Sequence, residues 1–290
     1  MLTLKEISSL LAPQYIILVA IGLFSSLAIH AGIFPIGSKL VLTLFALIFT
    51  ISGFNFLNMV EDETLDKINK PNRPIPNKKV DKKVILFLAI AFYIISLSLA
   101  YFVSANIFFT IILLAILTIA YTARPFYLKR KIFATPIFGA MFYSIIPFIC
   151  GFLISNNPFS IIFFVFFSLL IGIIAPIKDI EDQQGEKKFG FKTIPLLIGE
   201  KSTLKWIMNS VYLLFVGLTV AIIFSNLNKL FLLPVILSLM LFWALNKKVK
   251  IINSNENLII HSKNVSTYIW YVLLVEIGIT ITAFYITGVS

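Results

Sequence analysis

Two short clusters contain eight of the thirteen acidic residues of this 290-residue chain. The first cluster comprises Glu61, Asp62, Glu63 and Asp66, and the second comprises Asp179, Glu181, Asp182 and Glu186. Each cluster follows a long apolar run, so each is expected at the mouth of a membrane span. Ionised carboxylates in that position are costly without a partner. A divalent cation is a suitable partner, and a bound cation can in turn hold a phosphorylated substrate.

The spacing within each cluster predicts a column of oxygen ligands. Asn58, Asp62 and Asp66 are separated by four residues, so a helix places all three on one face. Asp179, Asp182 and Glu186 follow at intervals of three and four residues and also share a face. Two facing columns could hold one or two Mg²⁺ ions with a diphosphate completing the coordination. The remaining acids, Glu61, Glu63 and Glu181, point elsewhere and are expected to be solvated.

Two other interpretations apply to the same acids. Charged residues are common at helix ends near a membrane surface, and either cluster by itself fits that description. A transporter also uses acids within the membrane, but those lie near the middle of the spans. The equivalent positions of the two clusters, both at span ends, favour the cation site.

Basic residues follow the first cluster and the fourth apolar run. Arg73 lies in a loop that three prolines stiffen, and a guanidinium there can bind phosphate through two nitrogens. Lys129 and Arg130 follow the fourth run and are further diphosphate candidates. Each of the three could instead simply mark the cytoplasmic side of the membrane. Tyr121 is a candidate too, although an aromatic residue of the membrane interface explains it more simply.

The composition is that of an integral membrane protein. Mean hydropathy is +0.98, 59% of residues are hydrophobic and 13% are charged, which leaves too little polar surface for a water-soluble body. The single Cys150 lies in an apolar run, which excludes an intrachain disulfide and a thiolate metal cage. Apolar runs of sufficient length predict nine transmembrane helices and no barrel, in one domain over residues 1–290. The predicted spans are 14–33, 37–60, 82–103, 106–123, 134–155, 158–178, 203–225, 229–246 and 266–287.

Charge distribution predicts the orientation of these helices. Lys39 and Lys229 are the only basic residues in the loops that follow spans 1, 3, 5 and 7 and in the C-terminal tail. The other 22 of the 24 lysines and arginines lie at the opposite side of the membrane. The positive-inside rule therefore places the N-terminus in the cytoplasm and the C-terminus outside. The net charge of +11 is then a topology signal, so we expect membrane lipids and no nucleic acid as partners. The acidic clusters end spans 2 and 6, which indicates two four-helix repeats plus a ninth helix around a central cavity open to the cytoplasm.

In its acidic motifs and predicted spans, the chain resembles the UbiA-type intramembrane prenyltransferases. Asn58, Asp62 and Asp66 resemble their first Asp-rich motif, and the segment 66–76 resembles the loop that follows it. The second motif is matched by residues in 178–193, namely Lys178, Asp179, Ile180, Glu181, Asp182, Gly185, Glu186, Lys187, Lys188, Gly190, Lys192 and Thr193. The similarity covers nearly the whole chain.

The resemblance implies a Mg²⁺-dependent transfer of a polyprenyl group from its diphosphate to an acceptor at the cytoplasmic face. Asp62, Asp66, Asp179 and Asp182, with Asn58, would bind the Mg²⁺–diphosphate, and Arg73, Lys129, Arg130 and Lys178 would neutralise the leaving group. The loop sequences lean towards the branch that alkylates a glycerol phosphate, or towards chlorophyll synthase. An aromatic quinone precursor is the alternative acceptor. A transporter or lipid-binding protein without catalysis is the alternative from another class.

Three departures from the family pattern concern the site. Glu186 stands where Asp is usual and is longer by one methylene. Ala12 precedes Pro13 where an Arg-Pro pair commonly opens the first span, which removes one cation. Ala175 and Pro176 stand where the glycerol-phosphate enzymes tend to have Arg-Glu. These departures leave the acceptor open.

Overall fold

The computed structural model describes residues 10, 12–31, 37–155, 161–255 and 262–289, and within these it is all-helical, as predicted. Twelve α-helices organise the fold. They are α1 Pro13–Ala31, α2 Ser38–Glu61, α3 Glu63–Asn69, α4 Lys82–Tyr101, α5 Ala105–Thr122, α6 Ala134–Ser155, α7 Ile161–Ile174, α8 Ile177–Lys188, α9 Ile194–Ile198, α10 Glu200–Phe224, α11 Leu232–Asn255 and α12 Ser262–Val289.

Eight helical segments of the described chain are long and apolar enough to cross a membrane. They correspond to the second to ninth predicted spans, with α7 and α8 counted together. The predicted first span matches α1, whose apolar part, Pro13–Leu27, is shorter than the other eight. Large apolar side chains such as Phe87, Leu213 and Phe224 are exposed on the outside of the bundle, as a helical protein surrounded by lipid requires.

Short polar contacts join helices that are distant in the sequence. The Ser25 and Thr280 hydroxyls are 2.7 Å apart and join α1 to α12. The Ser26 hydroxyl donates to the Phe148 carbonyl of α6 at 2.9 Å. Thr50 of α2 and Ser96 of α4 are joined at 2.6 Å. Small hydroxyl residues let the helix backbones approach closely, and their side chains satisfy one another's hydrogen-bonding groups in an apolar surrounding.

Each acidic cluster lies next to a helix break, and the short helices that follow these breaks were not predicted from the sequence. The second span ends at Glu61, and a new short helix starts after Asp62. The sixth predicted span, 158–178, ends earlier, because α7 stops at Ile174 and α8 begins at Ile177. Pro176 lies in this break, and proline lacks the N–H needed to continue the helix. Asp66 therefore lies on a short helix that follows the second span, and the second cluster lies on a short helix that follows the sixth.

Candidate active site

The first acid column continues across the break at Asp62. Asp62 has φ −88° and ψ 6°, outside regular helix geometry. Its N–H nevertheless donates to Asn58 O at 2.9 Å, and Asp66 N–H donates to Asp62 O at 2.7 Å. Asn58, Asp62 and Asp66 consequently remain one turn apart, as predicted, in a column that bends at Asp62. Asp62 and Asp66 are both buried.

The second acid column lies on one face of α8. Asp179, Asp182 and Glu186 are all buried, whereas the neighbouring Lys187 and Lys188 are exposed. The predicted shared face is thus the face that packs into the protein. The hydroxyl of Thr135, on α6, donates to Asp179 Oδ1 at 3.0 Å, and the hydroxyl of Thr193 donates to Glu186 Oε2 at 2.9 Å.

The two columns meet at the same end of the bundle. Asn69, the last residue of α3, donates from Nδ2 to the Asp182 carbonyl at 2.9 Å. Its Oδ1 accepts from the Gly185 N–H at 2.8 Å. The next residue, Lys70, places Nζ 2.6 Å from Asp182 Oδ1. Segments about 113 residues apart in the sequence are therefore in direct contact.

Three of the buried carboxylates are ion-paired. Lys129 Nζ lies 2.5 Å from Asp62 Oδ1 and also donates to Asn58 Oδ1 at 2.8 Å. Arg73 Nη1 lies 2.7 Å from Asp66 Oδ2, and Lys70 pairs with Asp182 as described above. Of the predicted diphosphate ligands, Arg73 and Lys129 thus lie directly against the acids.

The electrostatics of the first column follow from burial and pairing. Burial raises the pKa of Asp66, although the neighbouring Arg73 opposes the shift. Burial also lowers the pKa of Lys129, against the effect of Asp62. Burial and the adjacent Asp62, which accepts from the Tyr127 hydroxyl at 3.0 Å, raise the pKa of Tyr127. These groups are held in a setting where charges interact more strongly than in water.

A cavity of about 340 Å³ adjoins the acids. Asn58, Arg73 and Lys178 line it together with Tyr121, which is buried and packs edge-on against Phe54 and Phe142. The remaining wall is largely apolar and includes Leu18, Phe54, Phe142, Ile171, Ile174 and Val272. Tyr121 is therefore a cavity residue and not part of an outer aromatic belt.

Arg73 and Lys178 line this cavity, and Lys129 contacts the acids beside it, but Arg130 does neither. It is exposed, and its guanidinium donates to the Phe189 carbonyl and lies 5.5 Å from the ring centroid of Phe191. Its carbonyl accepts from the Lys192 N–H at 2.9 Å. Arg130 thus holds the segment that leads to Thr193, and does not face the acids.

The expectation that Glu181 is solvated is wrong. Glu181 is half-buried and lines the cavity, on the face of α8 that also presents Ile177 and Lys178 to it. Glu63, in contrast, lies at the surface, where Lys67 and Lys82 bind it at 2.9 and 3.3 Å, as expected of a solvated acid.

Several residues of the site were not predicted from the sequence. Lys70 lies in the same proline-rich loop as Arg73, and its sequence offers nothing to separate it from the other loop lysines. Asn69 and Thr135 have no charge to single them out. Tyr127 follows Arg124-Pro125 and has a left-handed backbone (φ 44°), which turns its ring towards Asp62.

The ligand chemistry fits a hard divalent cation. Five buried carboxylates and the Asn58 amide supply oxygen, which Mg²⁺ prefers. Over the described ranges, no three acidic, histidine or cysteine side chains are grouped closely enough to hold one ion. Each of the five carboxylates instead has at least one oxygen in an ion pair or a hydroxyl contact. At these oxygens, Lys70, Arg73 and Lys129 would compete with a bound metal ion.

Known proteins with a similar sequence share one family. The model of the UbiA prenyltransferase family matches residues 17–260. A digeranylgeranylglyceryl phosphate synthase from Pyrococcus horikoshii is 31% identical over 213 residues, which cover 69% of this chain and 71% of that protein. The corresponding synthase from Pyrococcus furiosus is 32% identical over 211 residues, covering 68% of this chain and 70% of its own length.

Solved structures share the fold. A UbiA homolog from Archaeoglobus fulgidus, bound to DMAPP and Mg²⁺, superposes with a TM-score of 0.68 at 18% identity and covers 98% of this chain and 99% of its own. A UbiA homolog from Aeropyrum pernix gives 0.70 at 15% identity, covering 97% and 99%. A structure of digeranylgeranylglyceryl phosphate synthase gives 0.63 at 22% identity and covers 97% of both chains.

Proposed function

The chain belongs to the UbiA prenyltransferase family, and from this membership we propose that it transfers a polyprenyl group from its diphosphate to a glycerol-phosphate lipid, with Mg²⁺ as cofactor. The two Pyrococcus relatives are named for a glyceryl phosphate product. Solved neighbours contain Mg²⁺ with DMAPP or with GPP, which are prenyl diphosphates. The prenyl diphosphate is therefore the donor and the lipid is the acceptor.

One observation carries the proposal. Acids on α2–α3 and acids on α8 meet beside a single cavity, where Asn69 and Lys70 contact the helix that carries Asp182. Charged helix ends with no shared role need not converge in this way. A cavity whose wall includes Lys70, Arg73 and Lys178, next to the acid columns, and is otherwise largely apolar suits a molecule that has a diphosphate head and a hydrocarbon tail.

The carboxylates and cations have complementary roles in breaking the carbon–oxygen bond of the donor. Bound Mg²⁺ neutralises charge on the diphosphate, which makes it a better leaving group. We assign Asn58, Asp62, Asp66, Asp179, Asp182 and Glu186 to holding the metal. Lys70, Arg73, Lys129 and Lys178 bind the diphosphate oxygens and stabilise the charge that develops as the diphosphate departs.

The cavity wall protects the allylic cation left behind. Leu18, Ile174 and Val272 offer no nucleophile, and their side chains keep water away from the reacting carbon. The rings of Tyr121, Phe54 and Phe142 stabilise positive charge through their faces. The acceptor hydroxyl then attacks the cation, and its proton leaves to solvent or to a nearby base.

The same proposal includes a membrane topology. Nine spans, formed by the eight long helical segments together with α1, cross the membrane as one domain over residues 1–290. The equivalent positions of α3 after α2 and of α8 after α7 support two four-helix repeats with α12 as the ninth helix. The distribution of basic residues supports a cytoplasmic N-terminus, an external C-terminus and a site open to the cytoplasm.

The decisive experiment measures diphosphate release by the purified protein. We expect Mg²⁺-dependent release from a polyprenyl diphosphate in the presence of a glycerol-phosphate lipid. Asp62→Asn and Asp179→Asn should each lower the rate by about 10²-fold or more, because each removes a charged ligand. Asp81→Asn is the matched control, since Asp81 only caps α4 by accepting from Lys83 N–H and asparagine caps equally well.

Two results would contradict the proposal. Absence of diphosphate release under all these conditions would favour a transporter or a lipid-binding protein. Preferential labelling of a hydroxybenzoate or naphthoate, when a labelled donor is offered together with a panel of acceptors, would replace the lipid by an aromatic quinone precursor.

A further inference from the structure

Asn69 connects the two halves of the site through backbone atoms. It ends α3, three residues after Asp66. Its side-chain amide donates to the Asp182 carbonyl at 2.9 Å and accepts from the Gly185 N–H at 2.8 Å. Both ends of one amide group are therefore used to hold α8 against α3. We propose that Asn69 is a positioning residue, which sets the spacing between the two acid columns for the proposed reaction.

Because Gly185 has no side chain, it leaves space for this amide. A Cβ atom added at Gly185 would lie 2.7 Å from Asn69 Nδ2, 2.9 Å from its Oδ1 and 3.0 Å from its Cγ. Real Cβ contacts are not this short, so any larger residue at 185 must displace the Asn69 side chain. Glycine is otherwise unfavourable inside a helix, by roughly 0.5–1 kcal/mol relative to alanine. Its presence in α8 thus has a specific explanation in the contact with Asn69.

The amide contact differs in kind from the neighbouring ion pairs. Lys70 and Arg73 bind the carboxylates of Asp182 and Asp66, which are the groups that we assign to the metal. In the proposed reaction, those pairs separate when the metal and the diphosphate bind. Asn69 binds main-chain atoms of α8, which have no role in metal ligation. Its contact can therefore persist in both states and keep the columns at a constant separation while their side chains exchange partners.

A change at this contact would move two of the proposed metal ligands. Asp182 supplies the accepting carbonyl and also carries a metal-binding carboxylate. Gly185 directly precedes Glu186 and lies three residues after Asp182. A shift of α8 relative to α3 would displace both acids from Asp66 together. Ligation by Mg²⁺ requires near-ideal geometry, so a small shift is expected to weaken binding.

The first test measures binding without turnover. We compare the affinity of the intact protein for Mg²⁺ with inorganic pyrophosphate, by calorimetry, in Asn69→Ala, Gly185→Ala and the double variant. Asn69→Ala and Gly185→Ala should each weaken binding about tenfold or more, since each removes both hydrogen bonds. The double variant should bind like Asn69→Ala, because no side chain is left for the new Cβ to displace. Asn77→Ala, in the exposed loop after α3, is the matched control.

The second test measures the spacing itself. Spin labels at Lys67→Cys on α3 and Lys187→Cys on α8 report the distance between the two helices, in a protein whose buried Cys150 is replaced by alanine. The distance distribution should be narrow with Asn69 present and broader in Asn69→Ala, both with and without Mg²⁺ and pyrophosphate. Unlike activity, this readout reports on the positioning of α8 directly.

The outcomes separate this inference from the proposed function. A normal distance distribution and normal affinity in Asn69→Ala would overturn the role of Asn69 and leave the proposed function intact. An equal effect of Gly185→Ala with and without Asn69 would also overturn it. If the unaltered protein binds no Mg²⁺–pyrophosphate, the proposed function fails, while the label distances still decide whether Asn69 positions α8.

Discussion

Asp62, Asp66 and Asp182 are buried acids that each contact a cation at short range. Removing one partner of a buried ion pair commonly costs about 3–5 kcal/mol, because the remaining charge is left uncompensated. Lys129, Arg73 and Lys70 supply that compensation here, each within 2.7 Å of its acid. The same cations then suit the diphosphate. In the proposed reaction, each side chain has one partner before binding and another afterwards.

This exchange of partners predicts cooperative binding. Mg²⁺ alone has to displace a lysine or arginine from its carboxylate, and pyrophosphate alone has to separate the same pair. Each ligand relieves the cost for the other, so we expect each to raise the affinity for the other by about fivefold to 150-fold, the usual range of coupling between sites. Calorimetry with each ligand alone and with both together measures this effect. Independent affinities would show that the ion pairs persist in the complex.

A pair of matched substitutions separates Lys129 from Arg130. Lys129 is buried and contacts Asp62 and Asn58, so Lys129→Gln should lower the rate of diphosphate release about tenfold to a hundredfold. Arg130 is exposed and faces away from the cavity, so Arg130→Gln should change the rate by no more than about threefold. Steady-state assays of both variants make the comparison. Equal losses would place Arg130 back among the diphosphate ligands.

At the scale of elements, helix breaks orient the site. Had α2 continued straight beyond Glu61, or α7 beyond Ile174, the acids would extend along the axis of their spans. The break at Asp62 and the proline at 176 instead allow α3 and α8 to turn and pack against each other. The long helices form the frame, and the acids of the proposed site lie on or next to the short helices.

Close helix packing behind the site gives an element-scale prediction. A Cβ atom added at Gly151 of α6 would meet the Ser26 hydroxyl of α1 and lie 2.6 Å from Ser26 Cβ. Gly151→Ala should therefore separate α1 from α6 and destabilise the fold by about 1–3 kcal/mol, as overpacking does. The neighbouring Cys150 is fully buried and reports on this packing, so its reaction with a maleimide should become faster.

Gly217→Ala is the control for that substitution. A Cβ atom added at Gly217 of α10 meets no atom within 4 Å, so alanine there should not alter Cys150 labelling. It should preserve or slightly raise stability, because alanine favours helix. Equal labelling rates in Gly151→Ala and the unaltered protein would show that α1 can move aside without cost.

At the scale of the whole molecule, both acid clusters lie at one end of the bundle, and the proposed topology places that end in the cytoplasm. Asn77 follows α3 at this end and Asn226 follows α10, and both are exposed. In intact spheroplasts, a membrane-impermeant maleimide should label Asn226→Cys and leave Asn77→Cys unlabelled until the cells are lysed. The buried Cys150 should contribute little background. The reverse pattern would invert the proposed orientation of the protein.

Much of this protein was predictable from its sequence. The long apolar runs predicted a helical membrane protein, because a backbone in lipid must satisfy its own hydrogen bonds. The spacing of Asp179, Asp182 and Glu186 predicted their common buried face, because the helix repeat is local. The motif resemblance to UbiA-type prenyltransferases is confirmed by the family match and by relatives about 31% identical.

Only the tertiary structure decided which of these groups meet. The sequence treats Lys129 and Arg130 alike, yet one is buried against Asp62 and the other is exposed. It offered no reason to select Lys70 or Asn69, and it assigned Glu181 to solvent. Each of these outcomes depends on contacts between residues far apart in the chain and on where a helix breaks. Local periodicity determines the face on which a side chain lies, whereas packing determines what that face meets.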